Sequence, residues 1–380
     1  MNAYICFTHR FLYHSVYVLH ELNWRLVAIP ATLVPFIILW STTSVSPQDV
    51  FAVGLLPFIA SAAAGITRLM LQAVRFKYFI KRFIGYDVSS AGKTLSARLG
   101  GEFVTQTTPS YVGGEFVRIA WLSRNGVAPG KAAWVTTMEI ICDVFVGSIL
   151  AFIAAGLAIY KGGNVVGIAV ILVTIPTFGV WLSLVLFSAK RNLRLPAFSQ
   201  RLAERFIAKE KAEKYINTAN LAIADLCKMS RENFNTTKAI KTFAVGMAIT
   251  LLAFVFQGLS FLVLANAVES NIGFLDALMA ISASTAVASL PITIGGSGLA
   301  ELGIWAYISN LSGVPDLSTI AQDSQLNVII AWRIATYHVP LVLMWIALMR
   351  LAVGKVPATQ LRPPPGSDGP ATSREDGGVA

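Results

Sequence analysis

Charge is what this chain has least of. Only 13% of its 380 residues are Asp, Glu, Lys or Arg, against 55% hydrophobic, where a soluble domain carries about 25% charged residues. That deficit excludes an ordinary water-solvated catalytic domain. Cysteine is scarce too: Cys6, Cys142 and Cys227 are scattered, odd in number and without a CxxC pair, which excludes a disulfide framework and a thiolate metal site. The four histidines, His9, His14, His20 and His338, sit in no carboxylate pattern, so neither a metal nor another cofactor is expected. No Gly-x4-Gly-Lys-Ser/Thr loop is present, which removes ATP hydrolysis by that device. A cleavable leader is not expected either. The first apolar run, Leu26 to Trp40, comes late, contains Pro30 and Pro35 and lacks a small-x-small site after it, so it reads as a retained span.

Long apolar runs are what the chain does have. Six of them, at 24–44, 51–74, 132–159, 165–187, 242–267 and 325–352, reach the ~20 residues that cross a hydrocarbon core of about 30 Å. Two more, 95–122 and 274–312, are interrupted by Pro and Gly-Gly. Backbone broken at membrane depth is tolerated only when buried in protein or lining a wet cavity. The expected fold is therefore all-α: a polytopic membrane helical bundle with two broken, re-entrant elements arranged as inverted repeats.

The net charge of +10 belongs to this architecture rather than to nucleic acid, since no zinc spacing or aromatic-rich RNA motif accompanies it. Cytoplasmic loops collect Lys and Arg. Arg75, Lys77, Lys81, Arg82, Lys93 and Arg98 follow the second span, and a dozen basic residues from Lys190 to Lys241 follow the fourth. The connections at 45–50, 268–276 and 313–324 carry none. Both termini are thus expected in the cytoplasm of a multi-pass cell-membrane (inner-membrane) protein. Lys161 alone dissents, from a short outside turn. The first broken element should then dip in from the cytoplasm and the second from outside. A membrane domain over 1–353 divides into pseudo-repeats at about 50–187 and 242–352, joined by a solvated helical linker at 188–241. The segment 354–380, rich in Pro and Gly, cannot bury enough apolar surface to order itself.

The two interruptions resemble each other. Pro109-x-x-x-Gly113-Gly114 is followed at once by Glu115, and Pro291-x-x-x-Gly295-Gly296 is followed by Glu301; Gly126-Val127 and Gly313-Val314 come later in each half. Pro withdraws a backbone donor and Gly-Gly permits a tight reversal. The next helix then starts inside the membrane with unpaired N–H groups, whose positive end attracts an anion such as a lipid phosphate. Matching interruptions in two halves are a sequence pointer to a transporter site, although Gly-Gly also serves close helix packing.

Glu115 and Arg118, three apart, can pair on one helical face; as a functional pair, Arg118 takes the phosphate and Glu115 orients it or receives its amine. Glu139 and Asp143 share a stripe of the third span, and Arg333 lies in the last. Each such charge costs about 2.5–3.5 kcal/mol near a helix centre, so these three should find partners, Arg333 with Glu139 or Asp143. Arg68, with Arg75 and Lys77, reads as a snorkelling end-of-span cation.

Pro109, Gly113, Gly114, Glu115, Arg118, Gly126, Glu139 and Asp143, followed in order by Pro291, Gly295, Gly296, Gly298, Glu301, Arg333 and Tyr337, resemble the lysylphosphatidylglycerol synthase transmembrane-region family of flippase-like proteins, over roughly residues 10–353. That resemblance implies movement of an anionic or aminoacylated phospholipid, or a related lipid, between leaflets. Members that make the lysyl-lipid carry a large soluble aminoacyl-transfer domain after the membrane part. Here a short Pro/Gly-rich tail stands in that place, so synthesis of that lipid is not implied. Membrane lipids are the expected partners, with separately encoded lipid-synthesis enzymes or further copies of this chain as further candidates. The rival readings are a membrane-embedded transferase, for which Glu139/Asp143 is the sole candidate acid–base pair, and an accessory protein of a lipid-synthesis complex.

Overall fold

The computed structural model describes residues 53–108, 113–190, 195–206, 209–234, 236–268, 272–290, 293, 295–312 and 324–353. Every regular element among them is helical. In chain order these are α1 (Leu55–Phe79), α2 (Ala91–Thr107), α3 (Gly114–Arg124), α4 (Pro129–Tyr160), α5 (Asn164–Lys190), α6 (Ala197–Phe206), α7 (Lys209–Phe234), α8 (Thr237–Ala267), α9 (Phe274–Ala288), α10 (Leu299–Ser312), α11 (Ser324–Arg333) and α12 (Val339–Val353). The expected span at 24–44, the tail at 354–380, Pro109 and Pro291 all lie outside the described residues.

Five helical stretches are long and apolar enough to cross a membrane: Leu55–Ile84, Pro129–Tyr160, Asn164–Phe187, Thr237–Ala267 and Leu326–Leu351. Between 24 and 32 residues each, they extend about 36–48 Å at ~1.5 Å per residue. Many of their large apolar side chains, such as Ile149, Ile153, Leu172 and Leu251, are exposed. That surface is what lipid tails tolerate and water does not. The two interrupted stretches are helix–break–helix pairs, α2–α3 and α9–α10.

Two π-helical turns modify the long spans. Ile80–Ile84 continues α1, and Ile334–His338 joins α11 to α12. The second has a visible cause: Pro340 has no N–H to offer the turn before it, and its ring crowds the carbonyl of Thr336. The widened turn begins one residue after Arg333 and contains Tyr337, two side chains the site uses.

Small residues set how closely the paired helices approach. A Cβ on Gly101 would lie 2.8 Å from the Gly114 carbonyl oxygen, and one on Gly114 would collide with Gly101 and Thr105. Thus α2 and α3 cross backbone to backbone. The other pair repeats this device with Gly303, whose Cβ would lie 2.8 Å from Ser284 Cα. There Ser284 also donates its hydroxyl to the Ala300 carbonyl at 2.7 Å.

The segment between the halves is docked rather than simply solvated. Ala212, Cys227 and Ser230 of α7 are buried, and α7 packs on α4 and α5, with Met229 joining the cluster around Trp134 and Phe79. At the opposite end of α4, Lys161 donates to Asp276 in the first turn of α9 at 2.7 Å. Lys161 therefore joins the end of α4 to the start of the second broken pair.

Replacing Gly303 by Val should lower the thermal unfolding transition in detergent, by the ~1–3 kcal/mol typical of overpacking. Gly156→Ala, at a position where an added Cβ meets nothing within 4 Å, should leave it unchanged.

Candidate functional site

The chemistry gathers where α1, α2, α3 and α4 meet. α4 is an unbroken helix, so Glu139 and Asp143, four apart, point the same way. Glu139 is the hub: its Oε1 lies 3.2 Å from Arg98 Nε and 3.7 Å from Arg75 Nη2, and its Oε2 3.2 Å from Arg118 Nε. One carboxylate thus faces guanidinium groups from three other helices. Arg75 is fully buried and grips Asp143 with two parallel bonds, of 2.6 and 2.8 Å, the geometry to which Arg is best suited. It also donates to the Thr250 hydroxyl on α8.

On α2 the residues Arg98, Glu102 and Gln106 form one stripe at successive helical turns. Arg98 pairs with Glu102 at 2.5 Å and donates to Gln72 of α1 at 3.2 Å. Gln106 donates its amide to Glu102 at 2.9 Å.

The second pair of helices brings its own ion pair. Arg333 Nε lies 2.9 Å from Glu301 Oε1 and Nη2 donates to the Gly295 carbonyl. Glu301 in turn accepts the Gly298 N–H at 2.7 Å, so it caps its own helix in the manner of half a capping box. Gly295, Gly296 and Gly298 all have positive φ, which only glycine adopts at little cost.

The two breaks touch. Tyr337 donates its hydroxyl to the Gln106 carbonyl at 2.8 Å, while its ring lies 4.0 Å beneath the Arg333 guanidinium. A Cβ on Gly295 would meet the Tyr337 hydroxyl and come within 2.5 Å of that same carbonyl. A chain of polar contacts therefore runs without interruption from Glu301 through Arg333, Tyr337, Gln106, Glu102 and Arg98 to Glu139, Arg75 and Asp143.

A cavity of about 450 Å³ opens along this chain. Arg68, Arg98, Glu102, Glu115, Arg118 and Asp143 line it from one half; Ser284, Ala300, Arg333 and Tyr337 line it from the other. That size is within the ~300–1,000 Å³ range of small-molecule sites.

Several expectations change here. Arg333 pairs with Glu301 in its own half, not with Glu139 or Asp143. Glu139 already meets Arg75, Arg98 and Arg118, and Asp143 is gripped by Arg75, which also leaves them poorly placed as a free acid–base pair. Arg118 makes its ion pair with Glu139 rather than with Glu115. Its Nη1 is buried and makes no hydrogen bond among the described residues. Arg75 and Arg98 are core residues, not loop charges or snorkelling cations. The start of α10 is not an open anion cradle either, because Glu301 and the Gly296 carbonyl take up the Gly298 and Ala300 amides. Gly113 has φ +124° and precedes α3, which begins at Gly114.

The sequence reading missed Gln72, Arg75, Arg98, Glu102 and Gln106. The spacing of Arg98, Glu102 and Gln106 at i, i+4 and i+8 was the available signal.

Fold and site define a class: a polytopic helical membrane protein with a buried ionic network beside a cavity that charged residues help to line. The chain belongs to the family described as the lysylphosphatidylglycerol synthase TM region, which matches residues 17–343. It is similar to a UPF0104 membrane protein of Archaeoglobus fulgidus, 28% identical over 279 residues that cover 71% of this chain and 78% of that protein. No solved structure matches it.

Removing the hub should be costly. Glu139→Ala leaves Arg98 and Arg118 buried without that carboxylate, so it should destabilise the fold by the ~3–5 kcal/mol of a broken buried pair. Thermal unfolding in detergent, compared with Tyr337→Phe at about 1–3 kcal/mol for a lost buried hydrogen bond, should rank the two in that order.

Proposed function

We propose that this chain is a lipid flippase or lipid-transfer protein of the cytoplasmic membrane that handles an anionic or aminoacylated phospholipid or a related lipid. The observation that carries this reading is the shared cavity: both helix–break–helix pairs contribute walls to it, and charged groups of both signs face it. A head group fits there while the acyl chains stay among the exposed apolar side chains of the long helices. The family's connection with lipid supports the same reading.

In this proposal Arg118, on the cavity wall, takes the phosphate, and Glu115 orients the head group or receives its amine. Arg333 and Glu301 hold the second break in place. The two breaks enter from opposite faces as inverted repeats, and both termini are cytoplasmic. Rocking one half against the other exposes the cavity to each leaflet in turn.

The test is translocation of a labelled phospholipid between leaflets in vesicles reconstituted with the full chain. Arg118→Gln and Glu301→Gln should each slow it at least about tenfold, the effect of roughly 1.4 kcal/mol at the barrier. Unaltered translocation in both variants would remove the site assignment. Turnover of a labelled lipid-linked donor by the purified protein would favour a membrane transferase instead.

A further inference from the structure

Arg68 stands out once the ion pairs are counted. Around the cavity Arg75 pairs with Asp143, Arg98 with Glu102, Arg118 with Glu139 and Arg333 with Glu301. Arg68 has no carboxylate within 4.0 Å among the described residues, although it is within electrostatic reach of Glu102. Its only counterpart is Glu115, equally without an ion-pair partner there, on the same cavity's wall.

Arg68 lies about 20 Å along the helical stretch Leu55–Ile84 at ~1.5 Å per residue. A cation within a span is expensive unless it faces a wet cavity or a partner, and this one lines the cavity wall. It lies one turn before Gln72, which accepts from Arg98, so it belongs to the same polar face as the network without being consumed by it.

We propose that Arg68 is a principal anion-binding residue of the cavity, taking the phosphate oxygens of the ligand together with Arg118 on the same wall. This inference rests on the reading of the cavity as a head-group site and assigns it a residue outside the matched motifs. The shared chemistry is a phosphate ester, which could arrive on a lipid or as a free phosphate. An Arg that serves no internal pair also makes a distinct thermodynamic prediction: its removal weakens binding without weakening the fold.

The experiment is calorimetric titration of the full chain in detergent with two probes, short-chain phosphatidylglycerol and inorganic phosphate, alongside thermal unfolding without ligand. Arg68→Ala should lower affinity about tenfold to a hundredfold, the value of a charge-assisted hydrogen bond, and leave the unfolding temperature unchanged or raised. Arg68→Lys should recover part of the loss. Arg82→Ala, at an exposed cation stacked over Tyr78, should bind like the parent. Binding of the lipid alone identifies a lipid-borne phosphate; binding of both probes shows that the phosphate suffices. Either supports the assignment when Arg68→Ala abolishes it. If Arg118→Gln weakens binding while Arg68→Ala retains parental affinity, the Arg68 assignment falls and the cavity reading stands. If Arg68→Ala unfolds as readily as Glu139→Ala, Arg68 is a structural cation and the assignment falls as well. A parental chain that binds neither probe overturns both.

Discussion

One carboxylate holds this structure together at its centre. Glu139 is nearly inaccessible and meets Arg75, Arg98 and Arg118, so α4 is tied through a single residue to α1, α2 and α3. Removing a carboxylate from water costs several kcal/mol, which only close countercharges and hydrogen bonds offset. Three guanidinium groups around it would repel one another, and two of them have a second carboxylate, Arg75 with Asp143 and Arg98 with Glu102. The helices cannot move independently at this point without exposing an unpaired charge. That makes the cluster a rigid reference against which other parts can shift.

The helix breaks translate this rigidity into a shaped opening. Gly101 and Gly114 let α2 and α3 approach until their backbones touch, which keeps Arg98 and Arg118 close enough to share Glu139. In the other half, the turn through Gly295, Gly296 and Gly298 lets Glu301 fold back on its own helix start and meet Arg333. The two breaks themselves meet through Tyr337 on Gln106 and the close approach of Gly295 to the same carbonyl. One neutral hydrogen bond and a van der Waals contact are weaker than the ion pairs on either side, so this contact is the more easily altered, while α1 and α8, joined by Arg75 on Thr250, and α2 and α12 pack closely beside it.

The long apolar runs made the described spans legible, because crossing a hydrocarbon layer leaves little freedom in length or composition. The breaks were legible too: Pro and Gly-Gly are costly inside a continuous helix, so within an apolar stretch they mark where the helix stops. Ion-pair partners were not. Spacing along one helix says which residues share a face, but pairing across helices depends on which faces meet. Arg75 and Arg98 were misread because basic residues near span ends are usually cytoplasmic, and α1 and α2 continue further than their apolar cores suggest. Arg333 was matched to the wrong carboxylate because nothing in the sequence shows that Glu139 and Asp143 are already paired with other arginines.

Charge balance limits how the cavity can work. Five arginines (68, 75, 98, 118 and 333) stand with five carboxylates (102, 115, 139, 143 and 301) in and around it. A site with no excess charge does not attract an anion through its overall field. An arriving phosphate must engage a cation that is not already committed, and it leaves a carboxylate correspondingly less screened. A group carrying both signs, with its anionic end toward Arg68 and Arg118 and its cationic end toward Glu115, answers both demands at once. A purely anionic group answers only the first, so under the proposed reading it binds more weakly.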